Sequence, residues 1–138
     1  MSDPITCSCL CGQVTYECVG EPEFTGNCHC RDCQKATGSA YTPELFYKES
    51  AVQVSGELKA YERKGESGKS VWRHFCPHCG TWVCTRVEVL PGIIGVLAGT
   101  LDNVNRYQPQ VDIFTDSAAC WDVMNSSLPK HGKMPPLG

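Results

Sequence analysis

The sequence predicts a mainly β fold, a sandwich of short antiparallel strands organised by metal, on three observations. Apolar residues recur in short alternating runs, Gly and Pro interrupt nearly every gap between them, and cysteines cluster at C-x-C and C-x-x-C spacings. Helical periodicity of useful length is absent. With 138 residues, 41% of them apolar and 20% charged, the composition is that of a globular chain and fits one domain over residues 1–138. Its 13 Gly and 9 Pro mark it as turn-rich.

Taken in order, residues 13–18 alternate as a half-buried strand, and 52–55 and 58–61 form strands on either side of Gly56. Three further strand signals follow at 71–75, 81–87 and 93–97. Two short helical turns are expected, at 31–37, closed by Gly38, and at 117–125. Lys64, Gly65, Glu66, Gly68 and Lys69 make 63–70 an exposed hairpin tip, and the tail from Pro129 reads as an extended strap.

Twelve basic against 15 acidic residues leave a formal charge of -3, so the chain offers nucleic acid no basic field. The first ten residues lack the basic start and apolar run of an export signal, and the longest apolar stretch, 92–98, is far too short for a bilayer. A cytoplasmic protein with no membrane or nucleic-acid partner is the expectation. Its oligomeric state is not legible. Eleven cysteines could build a disulfide framework, but the number is odd and seven sit at metal-ligand spacings. Zinc is the reading those spacings favour.

Cys9-x-Cys11 and Cys76-x-x-Cys79 each precede a glycine, Gly12 and Gly80, as in a zinc knuckle, where the turn aims both thiolates at one point. Together they complete a four-thiolate site. Reactive or disulfide-forming dithiols are the alternative. Cys28-x-Cys30-x-x-Cys33 is then left with three thiols, and a catalytic zinc site keeps three protein ligands with a fourth position for water or substrate. Alternation puts Cys28 and Cys30 on one face and His29 on the other, so His29 is expected to pack or hydrogen-bond behind the cluster. Arg31 and Lys35 would ring it with positive charge, lowering thiol pKa and attracting a carboxylate-bearing thiol, although either could simply be solvated.

An incoming thiol at the open position would be held as thiolate at neutral pH, with a carbonyl polarised beside it, which makes thiol addition to an aldehyde the natural chemistry. A purely structural zinc, its fourth ligand drawn from Cys7, Cys18, His74, Cys84 or Cys120, is the competing account. Of the four remaining thiols, Cys18, Cys84 and Cys120 read as small buried hydrophobes, and Cys7 could substitute in the first pair. His74 and His78 suit hydrogen bonding better than coordination. His131 carries no signal.

Cys9-Leu-Cys-Gly-Gln-Val-Thr-Tyr16, Cys28-His-Cys-Arg-Asp-Cys33 with Lys35 and Gly38-Ser39, Phe75-Cys-Pro-His-Cys-Gly80, Ala98-Gly-Thr-Leu-Asp102, and Trp121 with Leu128-Pro129 together resemble the glutathione-dependent formaldehyde-activating enzyme family, related to centromere protein V. The resemblance implies an Mss4-like β fold with two zincs. It implies Cys9, Cys11, Cys76 and Cys79 as ligands of a structural zinc and Cys28, Cys30 and Cys33 as ligands of the catalytic one. It also implies a carbon-sulfur lyase of the S-hydroxymethylglutathione synthase type, with glutathione as cosubstrate. Two positions depart from the pattern: Asp112 stands where members often carry His, and Gln34 where a basic residue is common.

The leading expectation is therefore a zinc enzyme adding glutathione or a related small thiol to formaldehyde or another small aldehyde. A non-catalytic thiol carrier or interaction module is the second. A third, by analogy with methionine sulfoxide reductases of related fold, would make Cys120 a redox nucleophile; its apolar surroundings in sequence argue against that.

Overall fold

A computed structural model of the chain describes residues 3–135. Two sheets divide the strands. The smaller joins β1 (Ile5–Ser8), β2 (Thr15–Cys18) and β5 (Val52–Ser55), all antiparallel, in the order β1-β2-β5. The larger contains β3 (Phe24–Cys28), β4 (Thr42–Lys48), β6 (Lys59–Lys64), β7 (Ser70–Phe75), β8 (Trp82–Val87), β9 (Ile93–Leu97), β10 (Asp112–Ile113) and β11 (Lys130–His131), in the order β11-β10-β3-β4-β9-β8-β7-β6. The mainly β fold class is what the alternation and the turn residues imply.

Alternation along the central strands decides which side chains face which way. Leu45 and Tyr47 of β4, Ile94 and Val96 of β9 and Cys84 of β8 enter the core with Val14, just before β2, and Tyr16 of β2. The intervening positions, Glu44 and Phe46, Gly95, and Thr85 and Val87, then lie on the opposite face. Register lines up Phe46, Gly95, Thr85 and Arg73 as one cross-strand row over β4, β9, β8 and β7.

The strands at 52–55 and 93–97 and the helix α1 (Arg31–Thr37) have the expected bounds, and those expected at 71–75 and 81–87 fall within one residue of β7 and β8. Other expectations need correction. The turn of helix expected at 117–125 is absent: a 3-10 turn spans Thr115–Ser117 and irregular chain follows. Trp121 and Val123 in that stretch are exposed, so it has no apolar stripe to bury, and Asp122 is instead drawn toward His29. Cys120, expected among buried hydrophobes, is exposed for the same reason. Pairing is not wholly antiparallel either. β10 runs parallel to both β3 and β11, because a long crossover returns the chain to the edge of β3 in the same direction.

Candidate metal centres and active site

The first centre is built by two turns that end alike. After β1, Gly12 N–H donates to Cys9 O at 3.1 Å; before β8, Gly80 N–H donates to Cys76 O at 2.8 Å. Both glycines have left-handed φ, +82° and +77°, which a side chain would resist. Leu10 N–H donates to Thr81 Oγ1 at 3.1 Å and ties one turn to the other. Hydrogen bonds from the Thr81 hydroxyl and backbone draw the Cys79 thiol down to about 5.

The four sulfurs of Cys9, Cys11, Cys76 and Cys79 lie within 4.8 Å of one another, with Cys9 to Cys11 at 3.6 Å and Cys11 to Cys76 at 3.8 Å. A tetrahedral zinc with sulfur ligands at about 2.3 Å needs sulfurs about 3.8 Å apart, and a disulfide needs about 2.05 Å. The donor set therefore fits zinc and excludes a dithiol bridge. Cys7 is outside this group.

The second group is Cys28, Cys30 and Cys33, again with sulfurs within 4.8 Å of one another. Cys28 ends β3, and Cys30 caps α1, its Sγ accepting the Cys33 N–H at 3.3 Å. Gly38, at φ +72°, closes the helix by donating to Gln34 O at 2.8 Å. Three thiols converge because strand end, cap and first helical turn follow within six residues. Among the described residues no fourth metal-ligating side chain joins them, so Cys7, Cys18, His74, Cys84 and Cys120 do not complete the set. Hydrogen bonds from Cys28 and Cys33 hold the Cys30 thiol far below its ordinary value, and the Cys33 N–H and the Arg73 charge act in the same direction. Three soft donors with one strongly acidified thiol suit zinc.

His29 lies behind the cluster, as alternation requires, and is fully buried. Its Nε2 meets Asp112 Oδ1 at 2.8 Å and its Nδ1 meets Asp122 Oδ2 at 2.5 Å. Both ring nitrogens are thus engaged by carboxyl groups, which fixes the plane of the ring behind the cluster. Lys130 Nζ donates to the other Asp112 oxygen at 3.0 Å and Asn27 Nδ2 donates to Oδ1 at 3.3 Å. Burial works to raise Asp112, but the hydrogen bonds from His29, Lys130 and Asn27 outweigh it and hold the carboxyl below the ordinary value. Gln34 Nε2 donates to His29 O at 2.9 Å and to Ser117 O at 3.0 Å. Both departures from the family pattern thus belong to the scaffold that ties the Cys28 to Cys33 loop to the C-terminal segment. Neither lines the cavity.

In front of the cluster is a cavity of about 930 Å³. Cys28, Cys30 and Cys33 line it, as do Glu44, Arg73 and Phe46 from the cross-strand face, and its lining is mostly apolar. Gly95 keeps its floor open: a Cβ there would lie 2.9 Å from Phe46 Cε1 and 3.0 Å from Glu44 Oε1. Arg31 reaches the rim with its guanidinium donating to Gln34 Oε1, whereas Lys35 is exposed and does not line the cavity. Sequence reasoning missed Glu44 and Arg73. Arg73 interrupts an otherwise apolar and aromatic strand, a signal that was there to read; Glu44 sits in β4, where Pro43 and the flanking charges mask the alternation.

Fold and sites together define a class, a β protein whose cysteines could hold one metal in a closed set and another at the end of a cavity. The family model described as glutathione-dependent formaldehyde-activating enzyme matches residues 4–117, and the chain belongs to that family. It is also similar in fold to a crystal structure of a Rhodobacter sphaeroides protein, at 22% identity and a TM-score of 0.55 over 71% of this chain and 88% of the other. No curated protein matches the chain. Among the described residues no helix is long and apolar enough to cross a membrane.

Proposed function

We propose that the chain catalyses the addition of glutathione or a related small thiol to formaldehyde or another small aldehyde, a carbon-sulfur lyase reaction of the S-hydroxymethylglutathione synthase type in the condensing direction. The observation that carries this reading is the isolated three-thiol group at the end of a large cavity, in a chain that has a separate four-thiol group. Cys28, Cys30 and Cys33 are the ligands of a catalytic zinc, and Cys9, Cys11, Cys76 and Cys79 those of a structural one. Zinc held by these three thiols would supply the Lewis acidity that ionises a thiol substrate at neutral pH.

The chain's own residues do the rest. The clamp of His29 by Asp112 and Asp122 holds the ligand loop still, and Gln34 braces it from the helix side. Arg31 at the rim is placed for a carboxylate of the thiol; Lys35, outside the cavity, acts at most on approach. Cys30→Ser should remove one of two zincs per chain and abolish thiol-aldehyde exchange while leaving the far-ultraviolet circular dichroism unchanged. Native protein that binds two zincs yet leaves the exchange rate between glutathione and formaldehyde at its uncatalysed value would defeat the reading.

A further inference from the structure

Among the described residues three buried side-chain atoms have no hydrogen-bond partner: Thr42 Oγ1, Glu44 Oε1 and Arg73 Nε. Leaving such a group unpaired is costly, and native folds rarely keep one without a reason. Two of the three share one place. Glu44 and Arg73 both line the cavity that Cys28, Cys30 and Cys33 enter, Glu44 at only 6% exposure. Register explains the meeting: Thr85 opposes Arg73 on one side and Gly95 on the other, Gly95 opposes Phe46, and Glu44 is the next residue of β4 on that face. The bare backbone at Gly95 leaves the space that the carboxyl occupies. Arg73 stands with its guanidinium carbon 5.2 Å from the Trp82 ring centre, which orients its plane.

An unpartnered acceptor and an unpartnered donor over one cavity match a small oxygen that must receive one hydrogen bond and exchange one proton. The oxygen of an aldehyde is such an atom: it has no hydrogen before thiol addition and one after it. Resting on the thiol-addition reading above, we infer that Glu44 and Arg73 hold the aldehyde oxygen, Arg73 Nε–H donating to it while the Glu44 carboxyl delivers the proton that makes it a hydroxyl. As the thiolate sulfur forms the S–C bond, the π pair of the carbonyl moves onto oxygen, which takes the proton from Glu44. The carboxylate left behind regains a proton from the next thiol as that thiol ionises. Thiol and aldehyde become a hemithioacetal, and nothing else is consumed. Burial pushes the Glu44 carboxyl up to about 7; Thr85 and Arg73 oppose the rise and Cys30 adds to it, so the acid form is well populated at neutral pH.

The test uses zinc-loaded protein and exchange of isotopically labelled formaldehyde with glutathione, followed by nuclear magnetic resonance. Glu44→Gln should slow exchange about 100-fold, with zinc content equal to native and the KM for glutathione within about twofold. Glu44→Ala should be as slow and should recover in proportion to added formate, which native protein does not. Arg73→Met should raise the KM for formaldehyde about tenfold. Infrared difference spectra give a readout besides turnover: the stretch of a protonated buried carboxyl, present in native protein and absent from Glu44→Gln, should shift when both substrates are added. If native protein accelerates exchange while Glu44→Gln keeps its rate and formate has no effect on Glu44→Ala, this assignment is overturned and thiol addition stands. If native protein does not accelerate exchange, both fall together.

Discussion

Glu44 sets a conflict between folding and chemistry within one side chain. Its carboxyl is buried, and that burial raises it from an ordinary 4.5 to about 7 despite the pull of Thr85 and Arg73. For a carboxyl raised in the folded state, the folded protein holds its proton longer than the unfolded chain does. The associated stability is therefore complete below the unfolded value and is lost as pH rises through the folded one. Glu44→Gln removes that loss. Relative to native, the variant should gain about 1 kcal/mol more stability at about pH 8 than at about pH 6, read from denaturant midpoints in zinc-loaded protein. A gap that stays constant or narrows would show that the carboxyl is not held up by burial. His29 shows the opposite solution at the same scale, a buried group with every polar atom paired.

At the scale of elements, β9 makes the site possible by what it lacks. Ile94 and Val96 anchor it in the core, while Gly95 between them leaves its outer face bare, and Phe46 and Glu44 lean into that gap. Gly95→Ala adds a methyl 2.9 Å from Phe46 Cε1, and the ring has little room to retreat because it stacks on Phe24 at 4.4 Å between centroids. Overpacking of this kind costs about 1–3 kcal/mol, more than the modest strand preference of Ala over Gly returns. The variant should melt earlier, keep both zincs and lose at least about tenfold in thiol-aldehyde exchange. Calorimetry, metal content and the exchange assay check the three parts; full activity would remove β9 from the substrate site. Much at this scale was legible. The helix at 31–37 declared itself through Gly38, and the strands at 52–55 and 93–97 through their flanking Gly and Pro. β3 and β4 were not, since Pro22, Gly26 and Pro43 break their patterns and only pairing with β9 and β10 makes them strands.

For the whole molecule, the four-thiol site is the joint between the two sheets. Cys9 and Cys11 sit in the turn after β1 of the smaller sheet, Cys76 and Cys79 in the turn between β7 and β8 of the larger, and 65 residues separate Cys11 from Cys76. Metal binding across such a joint is folding free energy, about 10–16 kcal/mol for structural zinc. Cys76→Ser should accordingly lower Tm by about 10 °C or more, whereas Cys30→Ser, in a group held by the end of β3 and the start of α1 within one sheet, should lower it far less. Equal melting of the two variants in scanning calorimetry would dissolve the distinction between a joint and a working site. What the sequence determined by itself was the two dithiol pairs and the three-thiol group, the start and stop of α1, and the placing of His29 behind the ligand loop. Each depends on neighbours a few residues apart, where turn geometry and strand alternation are local rules. Only the tertiary structure decided that Glu44 meets Arg73 over one cavity, that Asp112 and Asp122 close on His29, and that Cys120 is left exposed. Those meetings span tens of residues and follow from strand order and register, which packing of the whole sheet selects and no short stretch of chain contains.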